Sequence, residues 1–439
     1  MQAVILSIGD ELVLGQTVDT NSAWLSAQLA GHGVPVLYHH TLADDQAAIA
    51  DAVRLASQRA ELMLITGGLG PTDDDLTRQA LADAMDEPLE LDARSVRHIE
   101  RFFKGRGRPM PERNRVQAMR PRSATMIDNH DGTAPGMRAS LGKAAIYVMP
   151  GVPREMVAMF ERAIEPELSE FAGNRHVILT TRLNTFGAGE STVAEVLDEL
   201  MDRQRNPKVG TTVSDGIVAV RIRSEYADRD EAQAKLDETI AEVEQRLGSI
   251  VFGRDDEKLE HAIVKLLQQR NQKLATAESC TGGLIGAMVT SVAGSSDVYA
   301  GGWITYSNAM KESKLHVPAD LLESHGAVSE PVVRSMAKGA LDHCAEADVS
   351  LSITGIAGPT GGTDDKPVGT VWIGLGWRRE GGCIDTDARL LQLPGSRAAV
   401  RDRSAKCALQ LLRLHLLGEP LEHLRWARPP AKEQNSRTE

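Results

Sequence analysis

The sequence predicts a multidomain α/β protein, and three observations lead to this fold class. The chain has 439 residues, which is more than one hydrophobic core usually serves. Strand-sized apolar runs alternate with amphipathic helical runs in the first and last thirds, as in parallel sheets covered by helices. Shorter elements lie between them. We therefore expect an N-terminal three-layer α/β/α parallel-sheet domain, a small α+β domain and a C-terminal α/β/α domain.

The first 85 residues have a βαβαβ pattern. The runs AVILSI, VPVLYHH and ELMLIT are typical of strands, and helices are predicted over residues 21–29 and 45–58. Thr20 or Asn21 is the predicted N-cap of the first helix. The same pattern continues to about residue 156, so we assign residues 1–172 to the first domain.

Residues 173–253 form the predicted middle domain. They contain the strand runs VILTTRLNTFG and IVAVRIRS, the second alternating like an edge strand, and a long helix over residues 228–247. The charged run GRDDEK at 253–258 is the predicted linker. Residues 254–418 contain the strand runs KLATAE, VYAGGWITY, DVSLSIT and VGTVWIGLG and a closing helix over 397–416. Residues 419–439 are predicted to be a polar tail, and residues 429–439 are predicted to be disordered.

Composition limits the function classes. The chain has 49 Lys and Arg against 61 Asp and Glu, and this net charge of −12 does not favour a nucleic-acid partner. No apolar run is long enough to cross a bilayer and no basic leader begins the sequence, so we expect no membrane association and a cytoplasmic location. Cys280, Cys344, Cys383 and Cys407 have no metal-like spacing, and we expect four buried thiols without disulfides.

A phosphate-binding loop is predicted in the first domain. Polar clusters follow its first and third strands, and in a parallel sheet both reach the carboxyl edge, where ligands bind. Glycines let backbone N–H groups approach an anion. The candidate residues are Asp10, Glu11, Gly67, Gly68, Gly70 and Thr72.

The aspartates after this loop suggest a cation. Asp74 and Asp75 would repel a phosphate unless a hard divalent cation bridged carboxylate and phosphate oxygens. The alternative is that aspartates in a first helical turn only complement the helix dipole, and taken alone that is the commoner case. The glycine loop ahead of them favours the metal hypothesis.

Small polar segments mark a second candidate site in the last domain: AESCTGG, AGSS, TYSN followed by Lys311, and TGIAGPTGG. Its histidines lack a suitable arrangement, so a Ser-His-Asp triad is weakly supported. A serine can instead be activated by a lysine whose pKa falls on desolvation. The alternatives are a solvated Lys311, serines that only cap helices, and a tyrosine at the edge of the core.

Several motifs resemble the CinA family of competence/damage-inducible proteins. GDEL, GGLGPTDDDLT, DGTAPGM and MPGVPREM resemble its molybdopterin-binding-type domain, which is of the MoaB/MogA type. FGAGES resembles its KH-like middle domain. ESCTGG, GSS, YSNAMK, GAVSE, TGIAGPTGG and KPVGTVWIGL resemble its C-terminal domain. The resemblance covers the whole chain.

The resemblance implies that the last domain is a nicotinamide-nucleotide amidase. It would convert nicotinamide mononucleotide to nicotinate mononucleotide and ammonia with a serine and a lysine and no cofactor. Carried onto this sequence, Ser296 is the nucleophile, Lys311 the general base and Tyr306 its partner, with Ser279 as the alternative nucleophile. Ala293 departs from the family, which usually has proline there. The implied substrate-binding residues, with the phosphate at a helix N-terminus, are Ser279, Thr281, Gly282, Gly283, Thr354, Gly355, Arg397 and Arg401.

The resemblance also implies a metal-dependent ADP-ribose pyrophosphatase in the first domain. Its cofactor would be a divalent cation, with K⁺ as a candidate second ion, and Asp75 is the best ligand candidate. We thus expect a homodimeric hydrolase of pyridine-nucleotide salvage. The alternative is a non-catalytic protein that binds a molybdopterin-type ligand or a partner in competence and recombination.

Overall fold

The computed structural model describes residues 1–171, 177–421 and 426–427. They form two compact units, one from residues 1–180 and 224–236 and the other from residues 181–223 and 237–439. The predicted α/β fold class is confirmed. The predicted junction at residue 172 and the tail residues 422–425 and 428–439 lie outside the described residues.

The N-terminal region contains eight strands and seven helices among its described residues. The strands are β1 (Ala3–Ile8), β2 (Val36–Leu42), β3 (Leu62–Thr66), β4 (Leu89–Leu91), β5 (Met119–Pro121), β6 (Thr125–Ile127), β7 (Gly136–Leu141) and β8 (Ala144–Met149). The helices are α1 (Asp10–Val13), α2 (Thr20–Gly31), α3 (Gln46–Ser57), α4 (Thr77–Met85), α5 (Ala93–Gly105), α6 (Pro153–Ala163) and α7 (Glu165–Phe171).

Six of these strands form one sheet in the order β2-β1-β3-β8-β7-β6. The first four are parallel, as predicted, but β7 and β6 are antiparallel additions that the sequence analysis missed. The turn between β7 and β8 has only two residues, which is too short for the crossover that a parallel pair needs. β4 and β5 form a separate antiparallel pair.

Helices cover both faces of this sheet. Every residue of β1 and β3 is buried, and separate apolar clusters lie on the two faces. The predicted cap of α2 was wrong, because Asp19 occupies the N-cap and its carboxylate accepts the Ser22 N–H at 2.9 Å. Thr20 and Asn21 therefore lie inside the helix.

The middle region forms a four-stranded sheet in the order β10-β11-β9-β12. Its elements are β9 (Val177–Thr185), α8 (Glu190–Leu197), β10 (Lys208–Ser214), β11 (Ile217–Tyr226), α9 (Arg229–Leu247) and β12 (Val251–Arg254). β11 is an interior strand, so the edge-strand prediction was wrong. The predicted linker begins inside β12, and the Asp255 carbonyl within it accepts hydrogen bonds from Arg182 and Asn184 of β9.

The C-terminal domain has a five-stranded sheet in the order β14-β13-β15-β16-β17. Its strands are β13 (Leu274–Glu278), β14 (Tyr299–Ile304), β15 (Val349–Gly355), β16 (Thr370–Arg378) and β17 (Ile384–Gln392), and its helices are α10 (Leu259–Arg270), α11 (Leu284–Thr290), α12 (Asn308–Leu315), α13 (Ala319–His325), α14 (Glu330–Asp342) and α15 (Arg397–Leu417). β14, β13 and β15 are parallel, whereas β16 and β17 are antiparallel.

All four thiols are free. The prediction that all four are buried was wrong, because Cys383 is exposed. Among the helices of the described residues, none combines the length and the apolar character that a bilayer span requires.

Candidate active site

The C-terminal candidate site lies at the carboxyl edge of the parallel strands. Ser279 directly follows β13, and Thr305 directly follows the neighbouring β14. The Ser279 N–H donates to the Ile353 carbonyl at 3.0 Å, and the Thr305 N–H donates to the Glu278 carbonyl at 2.8 Å. These bonds extend the sheet by one residue and hold the two segments side by side.

A buried lysine contacts a serine at this edge. The Lys311 ammonium nitrogen Nζ lies 3.1 Å from Ser279 Oγ and 2.9 Å from the Thr305 carbonyl oxygen. Lys311 is 1% exposed and Ser279 is 7% exposed, which excludes the solvated-lysine alternative. Burial lowers the pKa of Lys311 below its ordinary value of 10.5, with the Cys280 thiol acting weakly in the other direction. The lysine is thus suited to accept a proton from Ser279.

Ser296 does not lie with Lys311, so the predicted pairing of these two residues was wrong. Ser296 is exposed and precedes β14, whereas Lys311 follows it. β14 has six residues, and at about 3.3 Å per residue it separates the two sheet edges by roughly 16 Å. Within one chain, a serine at the amino edge of a parallel strand does not reach a base at the carboxyl edge of that strand.

Tyr306 is close to Lys311 through its backbone only. Its carbonyl oxygen lies 3.5 Å from Lys311 Nζ, but its side chain is 61% exposed and its hydroxyl accepts a hydrogen bond from Arg397 at 3.1 Å. The predicted role of the Tyr306 side chain as a partner of the lysine is therefore not supported by the geometry.

Glu278 is a site residue that the sequence analysis missed. Its carboxylate is buried and accepts the N–H groups of Gly283, Ile285 and Gly286 at 2.9 to 3.2 Å. It therefore occupies the N-terminus of α11, and the predicted phosphate position at this helix end was wrong. A charged residue at the end of an apolar strand and just before a glycine turn was the available signal.

Two arginines on the first turns of α15 hold the loops around Ser279. Arg401 donates to the carbonyls of Cys280 and Thr281 at 3.2 and 2.7 Å, and Arg397 donates to the Gly358 carbonyl at 2.9 Å. Neither forms an ion pair within the described part of the chain. Their positive charges remain available to an anionic group.

The other predicted substrate-binding residues either contact neighbouring protein groups or have no hydrogen-bond partner among the described residues. The Thr354 hydroxyl donates to the Ala327 carbonyl, and a Cβ on Gly355 would meet Val371 at 2.7 Å. Gly282 and Gly283 adopt positive φ angles in the turn after Ser279. The Thr281 hydroxyl is fully buried and has no hydrogen-bond partner. Thr281 is therefore the member of this group that still has an unused polar atom.

A second candidate site is a cavity of about 500 Å³ at the carboxyl edge of the N-terminal sheet. The predicted residues Glu11, Gly67, Gly68, Gly70, Asp74 and Asp75 line it. Asp10 and Thr72 do not, and they instead contact Asp44 and Asp75. Asp44, Gln117 and Glu155 also line the cavity and were missed. Asp44 follows the predicted strand β2, Gln117 lies in a short 3-10 helix and Glu155 lies in the first turn of α6.

The glycine loop of this cavity is held from within. Asp75 Oδ1 accepts the Gly70 N–H at 2.6 Å, and Oδ2 accepts the N–H and hydroxyl of Thr72. Arg78 is 1% exposed and donates to the Leu69 and Gly70 carbonyls at 2.8 and 2.5 Å, and burial lowers its pKa to about 10 against the opposing effect of Asp75. These contacts give Asp75 a loop-shaping role, and its role as a metal ligand stays a prediction.

The remaining carboxylates at the cavity are close enough to interact. Burial, together with the negative charges of Asp10, Glu11 and Asp74, raises the pKa of Asp44 above 3.8 despite the Asp10 N–H that it accepts. Within the described residues, no three His, Cys, Asp or Glu side chains are placed to hold a metal ion together. The donors present therefore fit a cation that takes one or two carboxylates and completes its shell with ligand oxygens.

The fold and the two sites define a multidomain α/β protein with a serine–lysine pair in one sheet and an acidic cavity in another. Three family descriptions match it: "Probable molybdopterin binding domain" at residues 4–170, "Damage-inducible protein CinA KH domain" at 180–253 and "CinA C-terminal domain" at 256–416. The chain belongs to the CinA family.

Relatives match along almost the whole chain. A protein of Symbiobacterium thermophilum that is named as a competence-damage inducible protein is 43% identical to this chain. The match covers 95% of this chain and 99% of that protein. A CinA-like protein of Parasynechococcus marenigrum is 42% identical, and the match covers 94% of this chain and 98% of that protein. A crystal structure of the competence/damage inducible protein CihA from Agrobacterium tumefaciens is 35% identical, covering 36% of this chain and 93% of that one with a TM-score of 0.33.

Proposed function

We propose that the C-terminal domain is a serine amidohydrolase that converts nicotinamide mononucleotide to nicotinate mononucleotide and ammonia. The observation that carries this proposal is the 3.1 Å contact between Lys311 Nζ and Ser279 Oγ in a buried position. Ser279 replaces Ser296 as the nucleophile in this proposal, because of these two serines Ser279 is the one with a base within hydrogen-bond distance in the described structure.

The proposed reaction begins with proton transfer from Ser279 Oγ to neutral Lys311 as the oxygen attacks the amide carbon. The lysine then gives this proton to the leaving nitrogen, so that ammonia departs and an acyl-serine remains. Water attacks the acyl carbon while Lys311 takes its proton. Return of that proton to Ser279 Oγ releases the carboxylic acid, which ionises, and restores the starting state.

The arginine pair supplies the second part of the proposal. Arg397 and Arg401 lie one helical turn apart at the mouth of the site, and both lack a carboxylate partner within the described residues. Guanidinium groups bind phosphate and carboxylate groups through paired, charge-assisted hydrogen bonds. An amide substrate that carries a phosphate therefore fits this site better than a neutral amide.

The test is ammonia release from nicotinamide mononucleotide by the full chain. Ser279→Ala should lower kcat by about 10³-fold or more, whereas the matched control Ser296→Ala should stay within about twofold of wild type. Circular dichroism checks that both variants are folded. Loss of activity in Ser296→Ala alone would reverse the assignment, and an inactive wild-type chain would favour the ligand-binding or competence-partner alternative.

For the N-terminal domain we propose a metal-dependent pyrophosphatase that acts on ADP-ribose. The supporting observation is the acidic cavity, where burial and, to a smaller extent, neighbouring negative charges raise the pKa of Asp44. A divalent cation would offset these charges and those of a diphosphate. The four free thiols fit a reducing compartment such as the cytoplasm, and the homodimer stays a prediction.

A further inference from the structure

An exposed apolar surface lies beside the serine–lysine pair. It consists of Ile304, Tyr306 and Met310, which are 54%, 61% and 38% exposed, and we call it the Tyr306 platform. The three residues belong to the end of β14 and the start of α12, immediately before Lys311. β14 is an edge strand, so no neighbouring strand covers this surface.

The tyrosine ring is held at one end. Its hydroxyl accepts a hydrogen bond from Arg397 Nη2 at 3.1 Å, while Arg397 Nη1 donates to the Gly358 carbonyl at 2.9 Å. Tyr306 forms no ring–ring or cation–π contact with any other described residue. A ring that is anchored at its hydroxyl and open on its face can receive a planar group with little loss of side-chain freedom.

The platform lies between the two groups that would bind the ends of the proposed substrate. The Tyr306 carbonyl is 3.5 Å from Lys311 Nζ, next to Ser279. The Tyr306 hydroxyl contacts Arg397, whose neighbour Arg401 holds the loop after Ser279. An amide at Ser279 and a phosphate near the arginines would leave the heteroaromatic ring of a nucleotide beside Tyr306.

We infer that Tyr306 determines substrate specificity by stacking its ring on the planar heteroaromatic ring that carries the scissile amide. This inference rests on the proposed amidase function and deepens it, because it assigns recognition of the substrate's aromatic ring to one residue. Tyr306 has no role in proton transfer, since its hydroxyl is engaged by Arg397 rather than by Lys311 or Ser279.

Equilibrium binding to a full chain that carries Ser279→Ala separates this inference from catalysis. Adding Tyr306→Leu should raise the Kd for nicotinamide mononucleotide about 10-fold, because the aromatic partner is lost while apolar bulk remains. Ribose 5-phosphate lacks the ring and should bind equally to both proteins. Leu417→Ala is the control, since Leu417 is exposed at the opposite end of α15 and should leave both affinities unchanged.

Turnover by the otherwise wild-type chain gives the second readout. Tyr306→Leu should raise KM about 10-fold with kcat within threefold, and Tyr306→Phe should keep KM within threefold. A 100-fold loss of kcat in Tyr306→Phe, or an equal loss of affinity for ribose 5-phosphate in Tyr306→Leu, would overturn the inference. If the binding difference appears but the wild-type chain releases no ammonia, the amidase proposal fails and the stacking role stands.

Discussion

The two candidate sites occupy the same place in their sheets but use their charged side chains differently. In each, a buried or half-buried charge shapes a glycine-rich turn: Asp75 and Arg78 in the N-terminal cavity, and Glu278 in the C-terminal site. Only the C-terminal site also contains a buried cationic group in contact with a nucleophile. In both sites the charged residue nearest the glycine turn therefore stabilises that turn. The chemistry of each site depends on its other charged side chains.

The other charged side chains of the two sites differ in whether their partners lie within the protein. Lys311 has its hydrogen-bond partners within the protein, so the C-terminal site is assembled without a ligand. The carboxylates of Asp44, Glu11 and Asp74 face an open cavity and repel one another. Under the pyrophosphatase proposal, the N-terminal site would need a cation from solution to offset these charges and those of a diphosphate.

The largest expected effect tests the serine–lysine pair of the C-terminal site. Lys311→Met should lower kcat for ammonia release about 10³-fold. Lys311→Arg should do the same, because a guanidinium does not give up its proton. In wild type, kcat/KM should rise with pH to a half-maximum below 10.5, because burial lowers the pKa of Lys311 and its neutral form is the active one.

The control for the lysine variants is the other site. AMP release from ADP-ribose by the same proteins should be unchanged, which shows that the chain remains folded. An ascending pH limb that survives in Lys311→Arg would mean that another group is the base.

A smaller effect is expected from the loop of the N-terminal cavity. Asp75→Asn turns an amide toward the N–H and hydroxyl donors of Gly70 and Thr72, so metal-dependent AMP release should fall about 10- to 100-fold. The matched control is Asp73→Asn, because Asp73 is exposed and does not line the cavity. Ammonia release should be unaffected in both variants.

Metal titration distinguishes the two roles of Asp75. A loop-shaping residue gives a loss that added metal does not restore, whereas a ligand gives a loss that higher metal concentration reverses. Release of AMP by the wild-type chain without any divalent cation would remove the basis for the metal-dependent proposal.

The sequence predicted the parallel strands and their helices because apolar periodicity reports which face of an element is buried. It did not predict the antiparallel direction of β16, since periodicity says nothing about strand direction, and it missed β6, β7 and β17 as strands. The choice of Ser296 was an avoidable error. Residues that follow parallel strands share one edge of the sheet, and Ser279 follows β13 whereas Ser296 precedes β14.

Other features of the sites depend on contacts that no local pattern reveals. The hydrogen bonds from Arg78 to the Leu69 and Gly70 carbonyls and from Arg401 to the Cys280 carbonyl join segments through tertiary packing. The burial of Lys311 likewise accompanies the packing of α12 against α14 and the contacts of the lysine with Ser279 and Thr305. The motif could nominate this lysine, but only the fold shows that it is desolvated.

The smallest expected effect compares the two sites through stability. Burial lowers the pKa of Lys311 in the folded chain below its ordinary value of 10.5. Between the folded and unfolded pKa values of this lysine, the unfolded chain binds more protons than the folded chain. The stability of wild type relative to Lys311→Met should therefore rise with pH in this alkaline range. The pKa of Asp44 is raised above 3.8, so in the acidic range between 3.8 and this raised pKa the folded chain binds more protons. The stability of wild type relative to Asp44→Asn should therefore fall as pH rises through this acidic range. Urea unfolding across pH measures both differences, and curves of the same sign would contradict the contrast between a buried base and a repelled acid.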